Sequence, residues 1–257
     1  MTAARRRLRW TPVLRDRLLL VAGAVAVWQL VVGVGWVDRS VVPSPWAVVV
    51  SIGHLGATSP VDQALLGTIG AFGVAFALAA AAGLAVGAVL GMWEGAYRAL
   101  YGALAWLNGI PKLVFLPVFV LTTGIGWRFQ VTYAFIAAVL PVIVTVTPAI
   151  RAVDRRLVVV ARSMGASQWQ AATKVLLPAS VPAIVTALWY ASEYALLGIV
   201  LTELFISPNG VGQLIRTYTS SFRPNDVFAL LFVLAAVGTG LSAGVHALAG
   251  QKARSGN

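Results

Sequence analysis

The chain has 257 residues, 59% of them hydrophobic and 11% charged, and a mean hydropathy of +0.86, which leaves too little polar surface for a water-soluble domain of this length. It has no cysteine and only two histidines, His54 and His246, far apart; disulfides and thiolate chemistry are excluded, and a histidine metal site is not expected. A formal net charge of +11 would suit nucleic acid, but in so apolar a chain it reads as the excess of Lys and Arg carried by cytoplasmic loops.

Taken in order, the chain starts with a basic segment, 1–17, "MTAARRRLRWTPVLRDR". The apolar run after it, 18–36, is about 19 residues long, against roughly 7–15 for a signal-peptide core, and no small-residue cleavage site follows. It reads as a retained first span. The second span, 65–92, is long enough to tilt or protrude. It carries Gly83, Gly87 and Gly91 at a small-xxx-small spacing, which suits close helix packing either within one subunit or between two. The third span lies within 100–123, interrupted by Pro111 and Pro117. Either it crosses as one broken helix, or its first part is interfacial and the crossing starts near Pro111. Spans four to six fall at about 131–148, 181–205 and 227–248, and 249–257 forms a tail. The fold class is all-α: a polytopic membrane bundle of about six transmembrane helices, with one transmembrane domain over 18–248.

Orientation follows from the basic residues. With the N-terminus inside, inner segments carry Arg5, Arg6, Arg7, Arg9, Arg15, Arg17, Arg98, Arg151, Arg155, Arg156, Arg162, Lys174, Lys252 and Arg254. The outer ones carry Arg39, Arg128, Arg216 and Arg223. Fourteen against four places both termini in the cytoplasm, together with the polar loop 151–180.

That loop reads as two short helices around a turn. "DRRLVVVARSM" is the first. Gly165 supplies a left-handed residue to end it. Ser167 caps the second, "QWQAATKVLL", with Gln170 at the capping-box spacing, and Pro178 is expected to stop it. The elbow exposes Arg162, Ser163 and Gln168, with Trp169 as an apolar anchor.

At these residues the chain resembles the membrane subunits of binding-protein-dependent ABC importers. Their shared loop runs E-A-A-x-x-x-G, nine residues, then I-x-L-P. Here Ala161, Gly165, Val175, Leu177 and Pro178 match that frame, while Val159 and Val160 stand in place of the Glu and first Ala. The segments "VVPSPWAVVV" (41–50), "IPKLVFLPVFVLTTGIG" (110–126) and "LTELFISPNGVGQLI" (201–215) resemble the nitrate, sulfonate and taurine branch. The resemblance covers roughly residues 41–248. It implies a type I importer permease fold in a bacterial inner membrane, and a second permease subunit, identical or not. It also implies two copies of a cytoplasmic ABC ATPase that holds ATP and Mg, an external solute-binding protein, and a small, anionic solute. It makes Val159, Ala161, Arg162, Ser163, Gly165, Ala166, Ser167, Gln168, Trp169, Leu177 and Pro178 the ATPase-coupling residues. Without a phosphate-cradling Gly-x-x-x-x-Gly-Lys loop, this chain is expected to bind no cofactor and to catalyse nothing itself. The missing Glu at Val159 leaves Arg162 or Asp154 as candidate substitutes.

Charges inside the membrane are costly and face a partner or water. Glu193 sits in mid-span five, Lys112 in or beside span three, and Glu203 near the outer end. Lys112, Thr122, Glu193 and Glu203 are candidates for the path or its gate. The alternatives are a structural hydrogen bond or ion pair for Glu193, a cytoplasmic-side position for Lys112, and ordering of the outer loop for Glu203. A lone Glu repels an anion, which argues against direct contact with one. A secondary transporter is the competing reading, but no internal repeat is found. A membrane enzyme would need a clustered set of acids or a Ser/His pair, and a DNA-binding elbow lacks room between two membrane flanks.

Overall fold

The computed structural model describes residues 12–56 and 59–254. Residues 1–11 of the expected basic segment, with Arg5, Arg6, Arg7 and Arg9, and residues 255–257 of the expected tail lie outside them. Eleven helices are found among the described residues. They are α1 (Pro12–Gly33), α2 (Pro45–Leu55), α3 (Ser59–Met92), α4 (Glu94–Gly109), α5 (Lys112–Thr123), α6 (Trp127–Arg151), α7 (Arg155–Ser163), α8 (168–179), α9 (Val181–Phe205), α10 (Val211–Ser220) and α11 (Pro224–Arg254). Five of them, α1, α3, α6, α9 and α11, are long and apolar enough to cross a bilayer.

The sixth crossing is the broken one. α4 and α5 pass the same test only together, and they meet at 87° across a break at Ile110 and Pro111. Pro111 is extended, with φ −62° and ψ 102°. Pro117 does not interrupt anything: it sits in the first turn of the α-helical part of α5, where its missing N–H is not needed. Other boundaries also differ from the sequence reading. α1 is Pro12–Gly33 against 18–36, α3 begins six residues earlier than 65, α6 is Trp127–Arg151 against 131–148, and α11 starts at Pro224 and continues to Arg254, past the expected end of span six. Span five coincides with α9 at both ends.

The core is a three-helix layer of α3, α6 and α9. Ala71, Ala75, Ala79, Ala134, Ala138, Ala195 and Ile199 are buried in it. Small residues set its spacing. α3 and α6 run parallel, and a Cβ built at Gly83, Gly87 or Gly91 would lie 2.6, 3.0 or 2.7 Å from the Cβ of Val142, Val146 and Ile150. The glycine stripe is therefore packing within the subunit. α9 runs antiparallel to α6, and Gly198 meets the backbone of Ala134, where a Cβ would approach its Cα to 2.8 Å.

α2 and α10 close the far end of the bundle on α11, burying Val48, Leu55, Val211, Ile215 and Leu230. α1 lies outermost. Its Trp28 stacks on Phe232 of α11 and donates to the Pro43 carbonyl at 3.1 Å. The elbow closes the opposite end.

Candidate functional site

The elbow is the most sharply specified local structure in the chain. α6 ends at Arg151, and Asp154 then caps α7, its Oδ1 accepting the Arg156 N–H at 2.8 Å. α7 ends at Gly165 in the left-handed region, φ +87°. The Ala166 N–H donates to the Ala161 carbonyl and the Gly165 N–H to the Arg162 carbonyl, both at 3.0 Å. This paired pattern is a Schellman stop. Ser167 and Gln170 then form the expected capping box: the Gln170 N–H donates to Ser167 Oγ at 3.2 Å, and the Ser167 N–H to Gln170 Oε1 at 2.9 Å. These bonds all reach neighbours two to five residues away, so the elbow is stiffened by its own sequence.

Pro178 does not end α8. Residues 172–176 form a π turn, and the shifted register puts Pro178 in a new first turn, where no N–H is required. The break comes at Ser180, two residues later. The π turn is what sequence spacing could not reveal.

The elbow presents an apolar surface. Met164 is 84% exposed and Trp169 73%, with Val159 and Val160 exposed beside them on α7. Ser163 bonds back to the Val159 carbonyl at 3.0 Å. Arg162, Gln168 and Trp169 border a cavity of about 470 Å³ between the elbow and the end of α3, Met92 and Trp93. Leu177 packs under the elbow against the cluster of Val142, Val146 and Ile150, and Pro178 is exposed. At the position of the family Glu the side chain is the exposed hydrocarbon of Val159, and the nearby Asp154 is engaged as the cap of α7.

One connection escaped the sequence reading. Glu94, at the start of α4, accepts from Arg98 at 2.7 Å and from Arg151 at 2.5 Å. Arg151 also lies over the Tyr97 ring, 3.8 Å from its centroid, and Tyr97 stacks on Tyr101. The last residue of α6 before the elbow is thereby tied to the first arm of the broken span. The partners are 57 residues apart in sequence, and only the Glu94/Arg98 spacing was visible.

The four candidate path residues are not brought together. Lys112 Nζ donates to the Asn108 carbonyl at 3.0 Å, across the break between α4 and α5. It acts as a cation at a helix C-terminus, a favourable place for it. Thr122 bonds back to the Val118 carbonyl at 3.0 Å and has an ordinary helical role. Glu193 accepts the Ser242 hydroxyl of α11 at 2.6 Å, and otherwise stands on the exposed side of α9.

Glu203 is 0% exposed. Thr68 of α3 donates to it at 2.9 Å and the Gly212 N–H at 3.0 Å, while the Val211 N–H donates to Thr68 at 3.1 Å. Gly210, at φ +102°, passes so close that any Cβ would fall on the carboxylate. Glu203 thus pins the loop between α9 and α10, at the floor of an open pocket that Gln130, Ser207 and Gln213 also line. Gln130 joins this anchor, donating to Ser207 at 2.7 Å.

The comparisons with known proteins agree with this architecture. Residues 83–251 match the family profile "Binding-protein-dependent transport system inner membrane component". The chain is 31% identical over 221 residues to the putative aliphatic sulfonates transport permease protein SsuC of Bacillus subtilis (strain 168), covering 86% of this chain and 80% of that one. It is 32% identical over 218 residues to the protein of the same name from Escherichia coli (strain K12), covering 85% and 82%. Among solved structures, a chain of the MetNI methionine ABC transporter in an inward-facing crystal form superposes with a TM-score of 0.58 at 19% identity, over 72% of this chain and 96% of that one. That likeness concerns the fold. With its helical bundle, its capped elbow and a profile match over most of its length, this chain belongs to the binding-protein-dependent transport system inner membrane component family, the multi-pass permease subunits of ABC importers.

Proposed function

We propose that the chain forms half of the pathway of an ATP-driven importer and is moved through its elbow. The observation that carries this is the elbow itself: a doubly capped turn, rigid at Gly165, with Val159, Val160, Met164 and Trp169 exposed beside it at the end of α6. A stiff apolar projection shifts an equilibrium only when a partner grips it differently in two states. The partner is a cytoplasmic ABC ATPase, which holds the ATP and Mg and grips Val159, Ala161, Arg162, Ser163, Gly165, Ala166, Ser167, Gln168 and Trp169, with Leu177 and Pro178 bracing the elbow from below. In this reading both termini are cytoplasmic and the bundle sits in a bacterial inner membrane. Two such subunits enclose the path, and an external binding protein delivers the solute. The sulfonate relatives favour a small sulfonate or related acid, taurine and nitrate included.

The exposed side of α9 with Glu193 lines the path. Lys112 holds the break at Pro111, a hinge for gating. Thr122 and Glu203 support the helices around it.

Reconstitution tests this. Uptake into liposomes should require the ATPase, ATP and the binding protein. Uptake by the isolated chain down an ion gradient would refute the importer reading in favour of a secondary transporter. The chain is cysteine-free, so Ser163→Cys should be labelled by a membrane-impermeant maleimide from the cytoplasmic side alone, and the ATPase should protect it.

A further inference from the structure

Glu193 stands at the middle of α9, and its own bundle only half satisfies it. Ser242 occupies Oε1 at 2.6 Å, and Oε2 has no hydrogen-bond partner among the described residues. Helix geometry puts Thr186, Tyr190, Glu193, Tyr194 and Leu197 within roughly one third of the circumference of α9, and all five are exposed. The opposite side, Ala187, Ala191, Ala195 and Ile199, is buried in the core. A carboxylate and two phenols on one side of a span are a poor surface for lipid. They suit the aqueous path assigned to this face above, and the inference rests on that reading.

The electrostatics of the path are one-sided. No Lys, Arg or His occurs in α3 or α9, or in residues 224–245 of α11. Lys112, in the broken span, is already committed to the Asn108 carbonyl. A solute that was only an anion would meet one like charge in mid-membrane and no opposite one. An ammonium group meets what it needs: a free carboxylate oxygen and aromatic rings on either side, whose faces attract cations.

We propose that Glu193, flanked by Tyr190 and Tyr194, recognises a cationic nitrogen on the transported solute. The solute class is then an amino acid analogue that carries an ammonium group as well as its acidic group, and Glu193 is a specificity-determining residue in the membrane. Ser242 fixes the carboxylate's rotamer and leaves the second oxygen free.

The test uses the full importer, with its ATPase and binding protein, in proteoliposomes. The probes are taurine and ethanesulfonate, which differ by the amine alone. The wild type should favour taurine. Glu193→Gln should lower the taurine-to-ethanesulfonate uptake ratio at least tenfold with ethanesulfonate uptake retained, and Glu193→Asp should keep most of the preference. The binding protein is common to all variants, so its own selectivity cancels when ratios are compared. Leu197→Cys should react with a water-soluble maleimide in the assembled complex, and saturating taurine should slow that reaction.

An equal fall in both uptakes, reproduced by Ser242→Ala, would make Glu193 a structural anchor and overturn the proposal. So would an unchanged ratio, or a Leu197→Cys site reached only by lipid-soluble reagents. Absence of ATP-driven uptake of either probe would overturn the proposal together with its solute class, whereas the importer reading on which it stands falls only if uptake needs no ATPase.

Discussion

The seam between α3 and α6 allows a quantitative test. In Gly83→Ala the new methyl falls 2.6 Å from Val142 Cβ and 2.7 Å from its Cγ1, where non-bonded carbons rest about 3.5–4.0 Å apart. Val142 is 0% exposed and branched at Cβ, so no rotamer takes both atoms away. The helices must part by about 1 Å, and the same tight approach recurs at Gly87 and Gly91 to resist it. Overpacking of this kind costs about 1–3 kcal/mol, and replacing a helix-interior glycine returns about 0.5–1 kcal/mol. A net loss of about 1–2 kcal/mol follows. The assay is equilibrium unfolding of the purified chain in mixed micelles, with Val142→Gly as the partner mutation, since alanine would keep the Cβ that lies 2.6 Å away. In the double variant the methyl meets only the Val139 carbonyl, at 3.2 Å, so the cycle should yield a favourable coupling of about 1 kcal/mol or more. Strict additivity, with Gly83→Ala as stable as the wild type, would refute the packing argument. Unchanged unfolding with weakened subunit association would move the stripe to the dimer interface.

Other outcomes follow from the same geometry. Gly198→Ala should cost more than Gly83→Ala in the same assay, near 3 kcal/mol, because it strikes the Ala134 backbone, which has no side chain to turn aside. Gly165→Ala forces a side chain into the left-handed region at about 1–2 kcal/mol; it should lower uptake per ATP hydrolysed, and Gly165→Asn should be milder. Trp169→Ala removes an exposed ring and should leave unfolding unchanged while weakening co-purification of the ATPase at least several-fold. Glu94→Gln breaks the tie to Arg151 and Arg98. These groups are partly exposed, so stability should shift by under about 1 kcal/mol, while coupling of hydrolysis to uptake should fall; unchanged coupling would leave the tie without a mechanical role.

Local code was fully legible at the elbow. Gly165 at the end of α7 and the Ser167/Gln170 box occur where the spacing put them, because each depends on groups within a few residues. Span five was legible for the same reason, since a long apolar run flanked by proline and loop residues needs no partner to define it. What failed did so where hydrogen-bond register changes. Pro178 was expected to end α8, and Pro117 to interrupt span three, yet a π turn before one and a helix start at the other remove the need for the missing N–H.

The sequence by itself determined that this is a membrane bundle of about six crossings with a stiff capped elbow, because bilayer thickness and backbone capping act on contiguous residues. It could not choose between packing and dimerisation for the glycine stripe. It could not pair Glu94 with Arg151, or tell that Glu203 is buried against Thr68 of α3 while Glu193 stands open. Those distinctions join residues tens to more than a hundred positions apart. They exist only once α3, α6 and α9 have closed on one another, because a side chain's burial and its partners belong to the assembled surface and not to the strand of letters that encodes it.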